Sequence, residues 1–153
     1  MTSSSPVGAD APRTPDPGTP STPDAGEALL RVAQRLEGLF TDLAGEHGLT
    51  AFQARTLRAL HEISSQGALA RRLGCTASRV SIVTRELEGR GLVSKVASVG
   101  DRRMRVARPT TEGTRIIDAI GAGLAARSPL VSGLTDDQVA DLFRLLSLVE
   151  TAP

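Results

Sequence analysis

The sequence predicts a mainly α-helical domain carrying one small β-hairpin, and three observations predict it. Beyond residue 26, apolar residues recur at helical spacing through most of the chain. Only Leu92–Ala97 and Met104–Arg108, joined by SVGDRR, read as short paired strands. The positive charge gathers around that hairpin: residues 51–108 hold eleven Arg and Lys95 against Glu62, Glu86, Glu88 and Asp101, a net +8 in a chain of formal net charge +1. A neutral protein that concentrates its cations in its middle third has a basic face, and phosphate backbones are the commonest partner of such a face. On charge alone, a solvated basic surface without a partner is an equal alternative.

Bulk composition narrows the field. A length of 153 residues suits one domain with one core. Hydrophobic content of 40% with three Phe and neither Tyr nor Trp means an aliphatic core. The same lack removes the stacking platforms that single-strand and RNA readers need. The lone Cys75 makes no intramolecular disulfide, and with two His it leaves too few soft ligands for structural zinc, which suits a reducing, cytoplasmic setting. No apolar run approaches membrane-span length, and the N-terminus has neither a basic start nor an apolar core, so neither a membrane partner nor a signal peptide is expected. No nucleophile stands with a base, so the chain is not expected to be an enzyme or to need a cofactor. Arg outnumbers Lys seventeen to one, the codon bias of a GC-rich bacterial genome.

Each element has a local reason. Residues 1–26 contain six of the nine Pro among Ser, Thr, Asp and Gly, and are expected to be a disordered tail. Leu29, Val32, Leu36, Leu39, Phe40 and Leu43 then keep helical period until Gly45 and Gly48. Thr50 and Gln53 form a capping box for a second helix reaching about Glu62. Ser64 and Ser65 open a short third helix, ended by Gly74 in a left-handed conformation. A fourth helix follows Cys75 and Thr76: Val80, Val83, Thr84 and Leu87 make its core face, and Ser78, Ser81, Ile82 and Arg85 the opposite one. After the hairpin, Thr110 caps a fifth helix to about Arg127, where Ser128 and Pro129 break it. Thr135 and Gln138 box the last helix, with Val139, Leu142, Phe143, Leu146 and Val149 in period.

A short helix, a three-residue turn at Gly74–Thr76, a helix with a polar outer face and a basic hairpin together describe a winged helix-turn-helix. A recognition helix needs small or hydrogen-bonding residues outward so that its backbone can approach base edges. Thr76 at the cap, Ser78, Ser81, Ile82 and Arg85 are the candidates, with Arg79 on the phosphate-facing flank. In the wing, Arg102, Arg103 and Arg105 are the candidates for a narrowed minor groove, and Asp101 is expected to orient one of them.

On LT at Leu49, QGALARRLG from Gln66, VTRELEGRGLV from Val83, DRR at Asp101 and TTEG from Thr110, the chain resembles the MarR (multiple-antibiotic-resistance regulator) family of bacterial transcription factors. The resemblance covers residues 27–152. It implies one domain over 27–153, with 27–48 and 110–153 as dimerisation helices and 50–109 as the DNA-binding winged helix. It implies a homodimer on a pseudo-palindromic double-stranded operator, acting as a repressor that a small-molecule effector releases. It assigns no effector residues here. Relatives respond to phenolic acids and other lipophilic molecules, and the Trp of the urate-responsive branch is missing. The link from Leu60 to Gln66 is about two residues shorter than usual, so the small strand there is expected to be lost. Ile82 stands where the family often carries Arg, and Pro109 where it usually has Leu. Ile82 is expected to meet a thymine methyl, with a place at the groove edge as the alternative.

The remaining features have plain readings. Cys75 is expected to be a buried small hydrophobe, with a redox-sensing regulator as the alternative. His47 and His61 are expected at helix ends and on the surface, without a metal. Gly121 and Gly123 each cost roughly 1 kcal/mol in a helix, and either allow close helix approach or leave room for a ligand. Asp136, Asp137 and Asp141 are expected to be first-turn dipole partners. A winged helix used only for protein contacts is the competing function, and would have no need of an Arg-bearing wing tip.

Overall fold

The computed structural model describes residues 21–98, 103, 105–128 and 133–150. Hydroxyl and carboxylate caps set where its helices begin. Helix α1 (Thr22–Glu46) starts on a capping box in which Ser21 Oγ accepts from the Asp24 N–H and the Asp24 carboxylate accepts from the Ser21 N–H and hydroxyl. Those donors hold the Asp24 carboxyl below its ordinary range. The helix therefore begins at Thr22, not at Glu27, and residues 22–26 belong to it rather than to a tail. Residues 1–20 lie outside the described residues. Helix α2 (Ala51–Glu62) uses the expected box, with Gln53 N–H donating to Thr50 Oγ1 at 3.1 Å and Thr50 N–H to Gln53 Oε1 at 3.0 Å. Ser65 caps α3 (Gln66–Arg72), Thr76 caps α4 (Ala77–Gly89), and Thr110 caps α5 (Thr111–Arg127). Thr135 and Gln138 box α6 (Asp136–Glu150).

Strands β1 (Val93–Ala97) and β2 (Arg105–Pro109) pair antiparallel, Val93 opposite Pro109 and Ala97 opposite Arg105. Pro109 thus ends β2 instead of standing beyond it. Among the described residues the sheet has two strands, as the short α2–α3 link predicts. Arg108 takes over the lost pairing: its guanidinium donates to Leu60 O at 2.8 Å, His61 O at 3.3 Å and Ser64 Oγ at 2.5 Å. A cation at the end of α2 satisfies carbonyls that the helix leaves without partners.

The core is aliphatic. Leu57, Leu60, Leu69, Val80, Leu87, Leu92, Ile116 and Ile120 are buried between α2, α3, α4, α5 and the start of β1, and Leu43 and Ala44 seal it from α1. Gly113 explains the TTEG motif: a Cβ there would overlap the Leu92 carbonyl oxygen, which accepts from the Thr110 N–H at 3.0 Å. Gly123 is a close-approach glycine too, because a Cβ would run into the buried Leu43 side chain where α5 crosses α1. Gly121 faces open space. Arg127 of α5 pairs with Glu46 of α1 beyond that crossing. Asp136 and Asp137 sit in the first turn of α6, but Asp141 lies beyond it and pairs with Arg144. Leu29 and Leu30 of α1 and seven apolar side chains of α6 remain exposed. No helix among the described residues is long and apolar enough to cross a membrane.

Candidate nucleic-acid interface

Helix α3 ends where Gly74 adopts φ 62°, a left-handed conformation that a Cβ would strain. The chain then turns within Gly74–Thr76, held by Cys75 N–H donating to Ala70 O at 2.9 Å. Cys75 is half-buried against the core rather than fully buried. Thr76 Oγ1 accepts from the Arg79 N–H at 3.3 Å and starts α4. Burial of Val80, Val83, Thr84 and Leu87 then fixes the rotation of α4 about its axis.

That rotation exposes Ser78, Arg79, Ile82 and Arg85. Ile82 is 49% exposed, a bare aliphatic tip among polar neighbours. The Arg79 guanidinium carbon lies over the Phe52 ring of α2, 4.5 Å from its centroid, a cation–π contact that anchors this exposed cation. Arg85 Nε donates back to Ser81 O at 3.3 Å. Ser81 departs from the expected pattern. It is half-buried and its hydroxyl donates to Gln66 Oε1 at 3.1 Å, so it ties α4 to α3 instead of facing outward with Ser78 and Arg85.

The wing stands beside this helix. Lys95 of β1 reaches Glu88 of α4 at 3.7 Å, and Arg105 of β2 donates to Lys95 O at 2.9 Å. Arg105 is thus an exposed strand residue that braces the hairpin rather than part of its tip. Arg103 is exposed. Asp101 and Arg102 lie outside the described residues.

Charge counting does not separate these surface cations from structural ones of the same stretch. Arg90 donates to Gly48 O at 2.8 Å and His47 O at 3.2 Å, fastening the end of α4 to the α1–α2 corner. Arg108 clasps the α2–α3 link, and Arg55 pairs with Glu37 of α1. Their partners lie far along the chain and carry no local signal. His47 caps α1 and His61 sits exposed in the last turn of α2. Among the described residues no group of His, Cys, Asp and Glu could hold a metal.

A cavity of about 560 Å³ opens between α1, α2 and α5. Leu36, Phe40, Ala59, Ile63, Leu73 and Leu124 supply apolar wall, and Arg55, Arg58 and Arg72 outnumber Glu37 and Glu62. The sequence reading missed it. Residues of α1, α2, the end of α3 and α5 build it, and the only local hint is the spacing of Arg55 and Arg58 on one side of α2, away from the buried Ala54, Leu57 and Leu60.

The sequence profile of the MarR family matches residues 47–104. Among solved structures, the chain is similar to CouR from Rhodococcus jostii RHA1 bound to p-coumaroyl-CoA, at 26% identity over 85% of this chain and 94% of that one, with a TM-score of 0.68. It is similar also to the MarR family protein Rv2887 of Mycobacterium tuberculosis in complex with p-aminosalicylic acid, at 28% identity over 82% and 98% of the two chains, with a TM-score of 0.62. Over its winged-helix segment the chain matches the MarR family model, and in fold it is similar to MarR-family regulators. A MepR variant from S. aureus, bound to an oligodeoxyribonucleotide, shares the fold at 22% identity over 82% of this chain and 97% of that one, with a TM-score of 0.56. No curated protein matches the chain. Within this winged helix, the departures from the family pattern have physical form: an arginine clasp where the small strand would lie, an exposed aliphatic at Ile82, and a proline closing β2.

Proposed function

We propose that this chain is a MarR-family transcriptional regulator that binds double-stranded DNA as a cytoplasmic homodimer, and that a small organic anion entering the α1–α2–α5 cavity releases it from a repressed operator. The observation that carries the reading is the single rotation of α4 that buries Val80, Val83, Thr84 and Leu87 while turning Ser78, Arg79, Ile82 and Arg85 outward beside an arginine-bearing hairpin. Ser78 and Arg85 have the chemistry for base edges, Ile82 for a thymine methyl, and Arg79 for phosphate. Thr76 sets the start of that helix, Ser81 supports it from behind, and Arg102, Arg103 and Arg105, with Asp101 as orienting partner, belong to the wing contact. The exposed apolar faces of α1 and α6 support a second copy as the covering partner. For the effector, the support is the cation excess over apolar walls, together with the organic anions bound by two relatives.

Selection of binding sites from a randomised duplex pool tests the reading. Two similar half-sites about 10 bp apart are expected to be enriched. Ile82→Ala and Arg85→Ala are expected to change which base pairs are enriched, at about 1 to 3 kcal/mol for a well-made contact. Arg103→Ala is expected to weaken all sites alike and to lower the slope of log affinity against log salt by roughly one unit. Folded, dimeric protein that enriches no sequence and whose variants leave the salt slope untouched would replace this reading with a protein-contact module.

A further inference from the structure

Two features of the α1–α2–α5 cavity go beyond what apolar packing requires. Ser128, 1% exposed, lies at the edge of the cavity, and among the described residues its buried hydroxyl has no hydrogen-bond partner. A buried hydroxyl is ordinarily satisfied, so one left over just behind a cavity wall marks a polar spot in an otherwise apolar lining. The second feature is the state of the arginines. Arg58 and Arg72 are exposed, and no ion pair joins either to a carboxylate among the described residues. Arg55 is already engaged: Glu37 occupies its guanidinium, which also lies over the Phe40 ring, 5.5 Å from the centroid.

Glu37, Arg55 and Phe40 all line the cavity, so a carboxylate, a guanidinium and an aromatic face meet on one wall. An organic acid entering there meets a cation held by a carboxylate like its own. Two carboxylates close to one guanidinium repel one another, so the guest displaces Glu37 or binds more weakly in its presence. The displacement is cheap, because both side chains of the pair are about half exposed, at 47% and 49%, and such pairs contribute little.

We propose that Glu37 is an internal stand-in for the carboxylate of the ligand, holding Arg55 until an organic anion takes it. This rests on the reading of the cavity as an anion site. Glu37 belongs to α1 and Arg55 to α2, so the exchange also removes an ion pair that joins the long first helix to the winged-helix half. Ligand entry and the tie between the two halves thus share one guanidinium. Glu37 thereby sets both the affinity for anions and the preference for them over uncharged guests.

Titration calorimetry of the full chain with salicylate, and with its uncharged amide, tests this. Glu37→Gln keeps size and helix propensity while freeing Arg55, and is expected to bind salicylate about two- to fivefold more tightly than the parent. The amide is expected to show no gain. In an Arg55→Gln background the Glu37 substitution is expected to have no effect, because nothing is left to compete for. Glu37→Ala is expected to repeat the gain, with thermal melts confirming that each variant is folded. Parent binding of salicylate with an unchanged or weaker Glu37→Gln variant overturns the stand-in while leaving the cavity as an anion site. An equal gain for salicylate and amide overturns it too, by showing that space and not charge is at issue. If neither parent nor variants bind salicylate, the cavity reading fails and the stand-in with it.

Discussion

Helices α4 and α6 carry comparable amphipathic sequences and meet opposite fates. In α4, Val80 and Leu87 are fully buried, because α2, α3 and β1 supply the surface that covers them. In α6, Phe143 is 72% exposed and Leu148 64%. The exposed residues of α6, from Val139 to Val149, include Leu142, Phe143, Leu145 and Leu146 in close succession, so they wrap most of its circumference. So broad an apolar face left exposed is built to be covered. The winged-helix half covers its apolar faces within one chain, whereas α6 leaves its own exposed, and in the proposed dimer the terminal helices are half of a core. With that dimer, the difference is expected to place stability in one region and concentration dependence in the other.

The sharpest way to break that comparison is to injure each side separately. Leu87→Ala is expected to destabilise the fold by about 2–5 kcal/mol through the cavity it leaves. Urea denaturation is expected to show that loss equally at low and high protein concentration. A loss that shrank as protein was concentrated would mean that the winged-helix core is not self-sufficient. Phe143→Glu is expected to act on the other side, raising the dimer dissociation constant at least about tenfold, or roughly 1.4 kcal/mol, with the helical circular dichroism retained. Sedimentation velocity reads this directly. A variant as dimeric as its parent would move the covering partner of α6 elsewhere.

The smallest effect concerns the ion pair that joins α1 to α5 within the terminal helices. The hydrogen bonds from Arg127 hold the Glu46 carboxyl below its ordinary value of 4.5, against a smaller opposing effect of desolvation. A carboxyl depressed by folding adds stability above the unfolded value and loses it as the pH falls through the folded one. Glu46→Gln is expected to remove that small acid-limb dependence and leave the neutral-pH melting temperature nearly unchanged, since both partners are exposed and screened. Melting curves across the carboxylate range, with and without added salt, measure it. A salt-independent loss at neutral pH would make this contact stronger than an exposed pair.

The winged-helix half was also the legible half. Caps are local, so Thr50 with Gln53, Ser65, Thr76 and Thr110 announce their helices within three residues, and the period of Val80, Val83 and Leu87 sets the outward face of α4. Apart from one local cap, what escaped has non-local causes. The box of Ser21 and Asp24 hides in a Pro- and Ser-rich stretch whose composition argues against a helix. Ser81 falls on the outward side of an ideal wheel, yet Gln66 of the neighbouring helix turns its hydroxyl inward. Arg90 and Arg108 look like surface cations until the carbonyls of residues more than forty positions away come within reach. The cavity belongs to no segment, because α1, α2, the end of α3 and α5 all line it.

The Arg108 clasp has a consequence for how this chain tolerates change in length. A strand between α2 and α3 would have to keep register with the wing, and a one-residue insertion would turn every side chain to the wrong face. A guanidinium fork imposes no such parity. Any link that offers carbonyl and hydroxyl oxygens within its reach, as Leu60, His61 and Ser64 do, holds β2 in place. By exchanging a ladder for one side chain, the protein has freed the Ile63–Ser65 segment to vary in length while its wing stays where it is.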